Sequence, residues 1–198
     1  MKLQSFLAGA SLALIASVAA GAASATNLLT DGSFEDGIVG WTFTGNTGYF
    51  GVSCGSGAED GSCYVSEGPV GSDGILSQSF SDTAGDTLDL SGWINGNGAS
   101  FSHVQYVFDG NLVFDTGNPT PNTGGWTNYA VNVTATGSDT LAVHFRNDPG
   151  YSSLDNFSVT DVAGGGAVPE PATWALMISG FFGAGAFLRR RRALTAIA

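Results

Sequence analysis

Between Asn27 and Val162 the apolar residues fall in short runs divided by Gly, Asp, Asn and Pro, the spacing of a chain built from strands. The pattern predicts strands at Trp41–Phe43, Tyr49–Val52, Ile75–Phe80, Thr87–Trp93, Phe101–Phe108, Leu112–Phe114, Trp126–Val133, Thr140–Arg146 and Asn156–Val162. Within Val104–Phe108 a period of two puts Val104, Tyr106 and Phe108 on one side, and within Leu141–Phe145 it groups Leu141, Val143 and Phe145. Asp109-Gly110 followed by Asn111 is a hairpin turn leading into Leu112-Val113-Phe114. No stretch of this region carries a helical stripe. Apolar faces of this kind need a second sheet over them, so residues 26–163 are expected to form an all-β, two-sheet antiparallel sandwich, with Trp93 and Trp126 filling its core or edge.

The two ends follow other rules. Lys2, the apolar stretch Phe6–Ala20 and the small-x-small Ala23-Ser24-Ala25 make residues 1–25 a secretory signal peptide, which implies a secretion translocase and a signal peptidase as partners. An exported chain is free to carry disulfides, and the two cysteines, Cys54 and Cys63, flank a glycine-rich loop that brings them together readily. Closing that loop removes about 2–3 kcal/mol of unfolded-chain entropy. A metal site is the weaker reading, because two thiols without a nearby His or third Cys are too few for zinc. Beyond a Gly-rich linker at 164–168, the uncharged run Pro171–Leu188 ends in Arg189, Arg190, Arg191 and Arg192. Its eighteen residues are at the lower limit for crossing a hydrocarbon core of roughly 30 Å. Trp174 at one boundary and the arginines at the other predict a transmembrane helix at about 172–188, with residues 193–198 as a short cytoplasmic tail.

Charge narrows the partners. From Thr26 to Val168 a single arginine, Arg146, stands against sixteen Asp and Glu, so no cationic surface exists to bind nucleic acid through its phosphates or to dock on anionic lipid. The thirty glycines, without a three-residue period, indicate a loop-rich domain and not a collagen.

Val168-Pro169-Glu170-Pro171, Trp174, a Gly-containing apolar stretch and the terminal Arg189–Arg192 block, in that order, closely resemble the PEP-CTERM protein-sorting signal of Gram-negative bacteria. The resemblance implies recognition of the tripeptide by an exosortase-type membrane peptidase. It also implies an inner-membrane-anchored precursor, held transiently by helix and arginines, and a final location in the cell envelope, at the surface or in the extracellular matrix. A permanent tail anchor is the alternative.

A second resemblance covers the domain. Asn27-Leu28-Leu29-Thr30-Asp31-Gly32-Ser33-Phe34-Glu35 with Gly40-Trp41-Thr42, and the closing Phe145–Tyr151 and Leu154–Val159, look like the first and last segments of galactose-binding-like, carbohydrate-binding-module jelly rolls. The resemblance implies a jelly-roll β-sandwich whose terminal segments are neighbours. It also implies a structural calcium ion held by Glu35 and Asp155, with Asp31 as a further ligand or turn former. Calcium accepts six to eight oxygen ligands, which such loops supply, but the spacing has no EF-hand cadence. Read without the resemblance, Asp31 caps a turn before Gly32 and Asp155 starts the last strand through side-chain to backbone bonds.

Catalytic residues do not stand out. His103 and His144, the only histidines, lie in strands and point away from the apolar faces, where two imidazoles and a carboxylate would be only an incomplete transition-metal set. There is no Gly-x-Ser-x-Gly elbow, and the acids are too many for one glycosidase pair to be singled out. The expected function is therefore a non-catalytic, envelope-associated protein that binds extracellular polysaccharide, with Tyr49, Tyr64 or Tyr151 stacking on sugar rings. The alternatives are a structural matrix protein without glycan affinity and a small polysaccharide hydrolase.

Overall fold

The computed structural model describes residues 25–162 and 177–181. Ten strands form: β1 (Thr42–Gly45), β2 (Phe50–Cys54), β3 (Cys63–Glu67), β4 (Gly74–Ser81), β5 (Thr87–Asn95), β6 (Phe101–Phe108), β7 (Asn111–Asp115), β8 (Thr127–Thr134), β9 (Ser138–Asp148) and β10 (Ser152–Asp161). They make two five-stranded antiparallel sheets, in the orders β1-β4-β9-β6-β7 and β2-β3-β10-β5-β8. Val104, Tyr106, Phe108, Leu141, Val143 and Phe145 all face inward and are buried, as their period of two predicts. Val65, Leu88, Leu90, Ile94, Leu154, Phe157 and Val159 answer them from the other sheet.

The first described segment, ahead of β1, lies along the last strand. Leu28 N donates to Val159 O at 2.8 Å, Phe157 N donates to Gly32 O at 2.8 Å, and Asn27 spends its side-chain amide on Phe157 O and Val159 N. A Cβ on Gly32 would sit 2.0 Å from Phe157 O, so this contact admits only glycine. The irregularity in β10 between Asp155 and Ser158 turns Phe157 inward. There it meets Phe34 at 6.1 Å, Trp41 at 6.0 Å and Tyr106 at 5.8 Å between ring centroids, edge to face.

Three expectations need correction. Strand β3 was absent from the expected set: its inward positions are Cys63, Val65 and Glu67, and a buried glutamate breaks the apolar alternation by which strands are recognised. Trp93 does not fill the core, because Gly92 and Ile94 take the inward places of β5 and Trp93 stands on the outer face, half-buried. Trp126 precedes β8 and packs on Tyr64 at 5.9 Å, its Nε1 donating to Gly57 O at 3.0 Å.

The largest correction concerns the C-terminal stretch. Among the described residues no helix is long and apolar enough to cross a membrane, which overturns the transmembrane helix at 172–188 and the inner-membrane-anchored precursor that rested on it. The helical residues described there are 177–181. Residues 172–176 and 182–188 of that stretch lie outside the described residues. The signal segment 1–24, the linker, Val168–Pro171, Trp174, Arg189–Arg192 and the tail 193–198 lie outside the described residues.

Candidate functional site

At one end of the sandwich, Tyr49, Gly68, Val70, Pro149, Gly150 and Tyr151 line an open cavity of about 280 Å³. Each comes from a chain reversal at a strand end. Tyr49, in the left-handed region at φ 56°, leads into β2, Gly68 leaves β3, and Pro149–Tyr151 form the turn between β9 and β10. Gly68 N donates to Tyr49 O at 2.8 Å. A side chain at Gly68 would place Cβ 2.4 Å from Gly150 O and 3.1 Å from the Tyr151 ring, so glycine lets the two turns close on each other. The tyrosines meet edge to face at 6.5 Å and remain 65% and 52% exposed. Two large aromatic rings held in solvent on backbone turns are an apolar surface without an internal partner.

The layer beneath is polar, with Glu67, Asn147 and Ser152 buried. Asn147 donates through Nδ2 to Ser152 Oγ at 2.7 Å and to Asn97 Oδ1 at 3.0 Å. Glu67, directly before Gly68, is inaccessible to solvent, and neither carboxyl oxygen has a hydrogen-bond partner of good geometry. Burial drives its pKa well above the usual carboxylate range, and the neighbouring Ser152 hydroxyl offsets this only in part.

Beside the cavity, Asp148 accepts from Arg146 Nε at 2.7 Å and from Arg146 Nη2, and its two oxygens lie 3.1 and 3.2 Å from Gly71 N. Burial alone would raise the Asp148 pKa, but the guanidinium and the Gly71 N–H hold it below the ordinary value. The Arg146 guanidinium also lies 5.6 Å from the centre of the Phe101 ring. The lone cation of the domain is thereby committed to an internal pair. On the outer face of the same sheet, His103 Nε2 is 3.2 Å and His144 Nδ1 4.0 Å from opposite oxygens of Asp73. The two histidines do share one face, as their strand positions suggest. Among the described residues, no group of three or more His, Cys, Asp or Glu is placed to hold a metal ion.

Cys54 and Cys63 are joined, with sulfurs 2.09 Å apart. The loop they close meets the carboxylates that the resemblance assigns to calcium. Asp155 Oδ2 accepts from Glu59 N at 2.7 Å and Asp60 N at 3.1 Å, while Oδ1 accepts from Asn156 N at 2.7 Å. Glu35 Oε1 accepts from Ser62 N and Cys63 N, both at 2.7 Å. Burial, the largest influence on Asp155, raises its pKa against these N–H donors, whereas at Glu35 the Cys63 and Ser62 amides lower it. Asp31 is a turn former: at φ 49°, its Oδ1 accepts from Asp36 N at 3.2 Å and its carbonyl from Trp41 Nε1 at 3.1 Å, leaving Oδ2 buried without a partner. One oxygen of Glu35 and both oxygens of Asp155 face the positive ends of N–H dipoles.

Of the sequence-singled tyrosines, the structure brings Tyr49 and Tyr151 together and leaves Tyr64 apart, on the outer face of β3 against Trp126. Glycines 68 and 150, Val70 and Pro149 were not foreseen as lining residues. The Gly68-Pro69 and Pro149-Gly150 punctuation marks the two turns, but only the fold puts them side by side. A carboxylate cluster also emerges at Asp82, Asp109 and Asp139. Asp139 is buried and accepts from Thr136 N at 2.8 Å and from the Thr136 hydroxyl. Burial first, and then the adjacent Asp139 carboxyl, raise the pKa of Asp82.

The two five-stranded sheets form a sandwich, and comparison with solved structures shows a fold like the jelly roll of carbohydrate-binding modules. TmCBM61, solved in complex with β-1,4-galactotriose, is 20% identical with a TM-score of 0.58, over 69% of this chain and 99% of that one. The CBM22-1 xylan-binding domain of Paenibacillus barcinonensis Xyn10C is 19% identical with a TM-score of 0.50, over 72% and 98%. The K3 cleaved adhesin domain of Lys-gingipain from Porphyromonas gingivalis is 19% identical with a TM-score of 0.51, over 69% and 99%. The likeness is mainly to non-catalytic binding modules, not to catalytic domains. Residues 167–192 match the PEP-CTERM protein-sorting motif. The chain therefore carries an export and envelope-sorting signal of the exosortase system. A search of curated proteins finds no match.

Proposed function

We propose that this chain is an exported, non-catalytic protein, sorted through its PEP-CTERM motif, whose sandwich binds a neutral extracellular polysaccharide at the Tyr49–Tyr151 cleft. The observation that carries the reading is the pair of exposed tyrosines facing a 280 Å³ cavity on a turn scaffold that glycine alone permits. Rings in such a setting stack on the apolar faces of sugars, and surrounding backbone groups bond their hydroxyls. Charge supports neutral ligands: the domain is strongly acidic, its one arginine is paired with Asp148 beside the cleft, and a uronate or sulfate would meet repulsion with no cation to answer it.

Calorimetric titration of the full chain against soluble galactan, xylan and an acidic polysaccharide tests this. Binding to a neutral glycan is expected, with Tyr49→Ala and Tyr151→Ala each weakening it roughly tenfold, about 1.4 kcal/mol, and Tyr64→Ala leaving it unchanged. If no glycan binds, or if the Tyr49→Ala, Tyr151→Ala double variant binds as tightly as the parent, the cleft reading fails and a purely structural matrix role takes its place.

A further inference from the structure

We infer that the disulfide-closed loop between Cys54 and Cys63 occupies the place of a cation, its backbone N–H groups binding the carboxylates of Glu35 and Asp155. Two consecutive pairs of amides do this. Glu59 N and Asp60 N converge on one oxygen of Asp155, and Ser62 N and Cys63 N converge on one oxygen of Glu35. Successive N–H groups aimed at one anion form a concave nest, and here the anions belong to the protein. Gly61, between the two nests, sits at φ 62° with its would-be Cβ 2.5 Å from Glu35 Oε1. No other residue lets the backbone approach the carboxylate so closely.

The consequence is mechanical. Glu35 belongs to the segment ahead of β1 and Asp155 to β10, so one loop ties these two parts of the sandwich together. A divalent ion between carboxylates does the same task by attraction, through six to eight oxygen ligands. An oxygen already holding two N–H groups, as Asp155 Oδ2 and Glu35 Oε1 do, offers a cation a poor seat, because the dipoles point their positive ends toward it. The disulfide then matters as the clasp that keeps the nests formed.

Amide hydrogen exchange of the full chain in EDTA tests the inference, followed by the same measurement and thermal melting in millimolar calcium. Protected amides at Glu59, Asp60, Ser62 and Cys63 in EDTA, with a melting temperature unmoved by calcium, are expected. Asp155→Asn should accelerate exchange at Glu59 and Asp60 on the order of tenfold and leave Ser62 and Cys63 protected, and Glu35→Gln should do the reverse. Unprotected amides at these four positions in the parent overturn the inference without reference to any variant. So does a calcium-induced rise in melting temperature that is lost in Asp31→Asn or Asp155→Asn.

Discussion

Glu67 offers the sharpest test of the energetics beneath the cleft. Its carboxyl is fully buried with no well-formed hydrogen bond, and burial raises its pKa well above the ordinary 4.5. A group more basic in the folded state binds its proton more tightly there, so its contribution to stability is complete below pH 4.5 and is lost as pH climbs through the raised folded pKa. While Glu67 stays protonated in the fold and ionised in the unfolded chain, each pH unit above 4.5 costs about 1.4 kcal/mol. Glu67→Gln keeps the shape and removes the ionisation. Urea denaturation of parent and variant from pH 4 to pH 8 should therefore show curves that run together at pH 4 and diverge above it, the parent falling about 1.4 kcal/mol per unit faster until its folded pKa is passed. Asp82 and Asp155 also titrate, but equally in both proteins, so the difference isolates Glu67. Parallel curves between pH 5 and pH 8 would show that Glu67 is charged in the fold and that the network with Ser152 and Asn147 compensates it.

The remaining predictions concern the frame. Replacing Cys54 and Cys63 together by serine should lower stability by about 2–3 kcal/mol in urea titration and expose the loop amides to exchange. Gly92→Ala should cost roughly 1–3 kcal/mol, because the new Cβ would lie 2.4 Å from the Phe157 ring and 2.8 Å from Tyr106 Oη, and a shifted melting curve would register it. Asp82→Asn removes a carboxyl whose proton is favoured by burial and by Asp139, so it should stabilise the fold at neutral pH and have no effect at pH 3. Intact-mass analysis of protein recovered from envelope, matrix and medium should find chains ending near Pro169-Glu170-Pro171, and replacement of that tripeptide should leave the mass uncut. Retention of Arg189–Arg192 in every fraction would show that the motif is not processed.

Much of this was legible along the chain because it depends on neighbours in sequence. The period of two in β6 and β9 identified the inward residues, and the Asp109-Gly110 pair marked the hairpin. The same rule carried through β5 from Leu88 and Leu90 would have put Gly92 and Ile94 inside and Trp93 outside; ring size was a worse guide than register. The short cysteine loop marked its own closure.

Other features had no local signature. Strand β3 is a strand because β2 and β10 flank it, and its inward Glu67 disguises it. Tyr49 and Tyr151 are about a hundred positions apart in sequence and become a cleft only through the pairing of β3 with β10. The carboxylates of Glu35 and Asp155 were visible as a pair of acids from matching motifs, but the pattern could not tell whether a cation or a loop would face them. By itself the sequence determined the export and sorting elements, the sandwich class and most inward faces, since periodicity, turn chemistry and short motifs are written in adjacent residues. The tertiary structure alone decided which turns meet, which acids are buried and what their oxygens face, because these depend on strand order across a sheet, where residues far apart in the chain come within hydrogen-bonding distance.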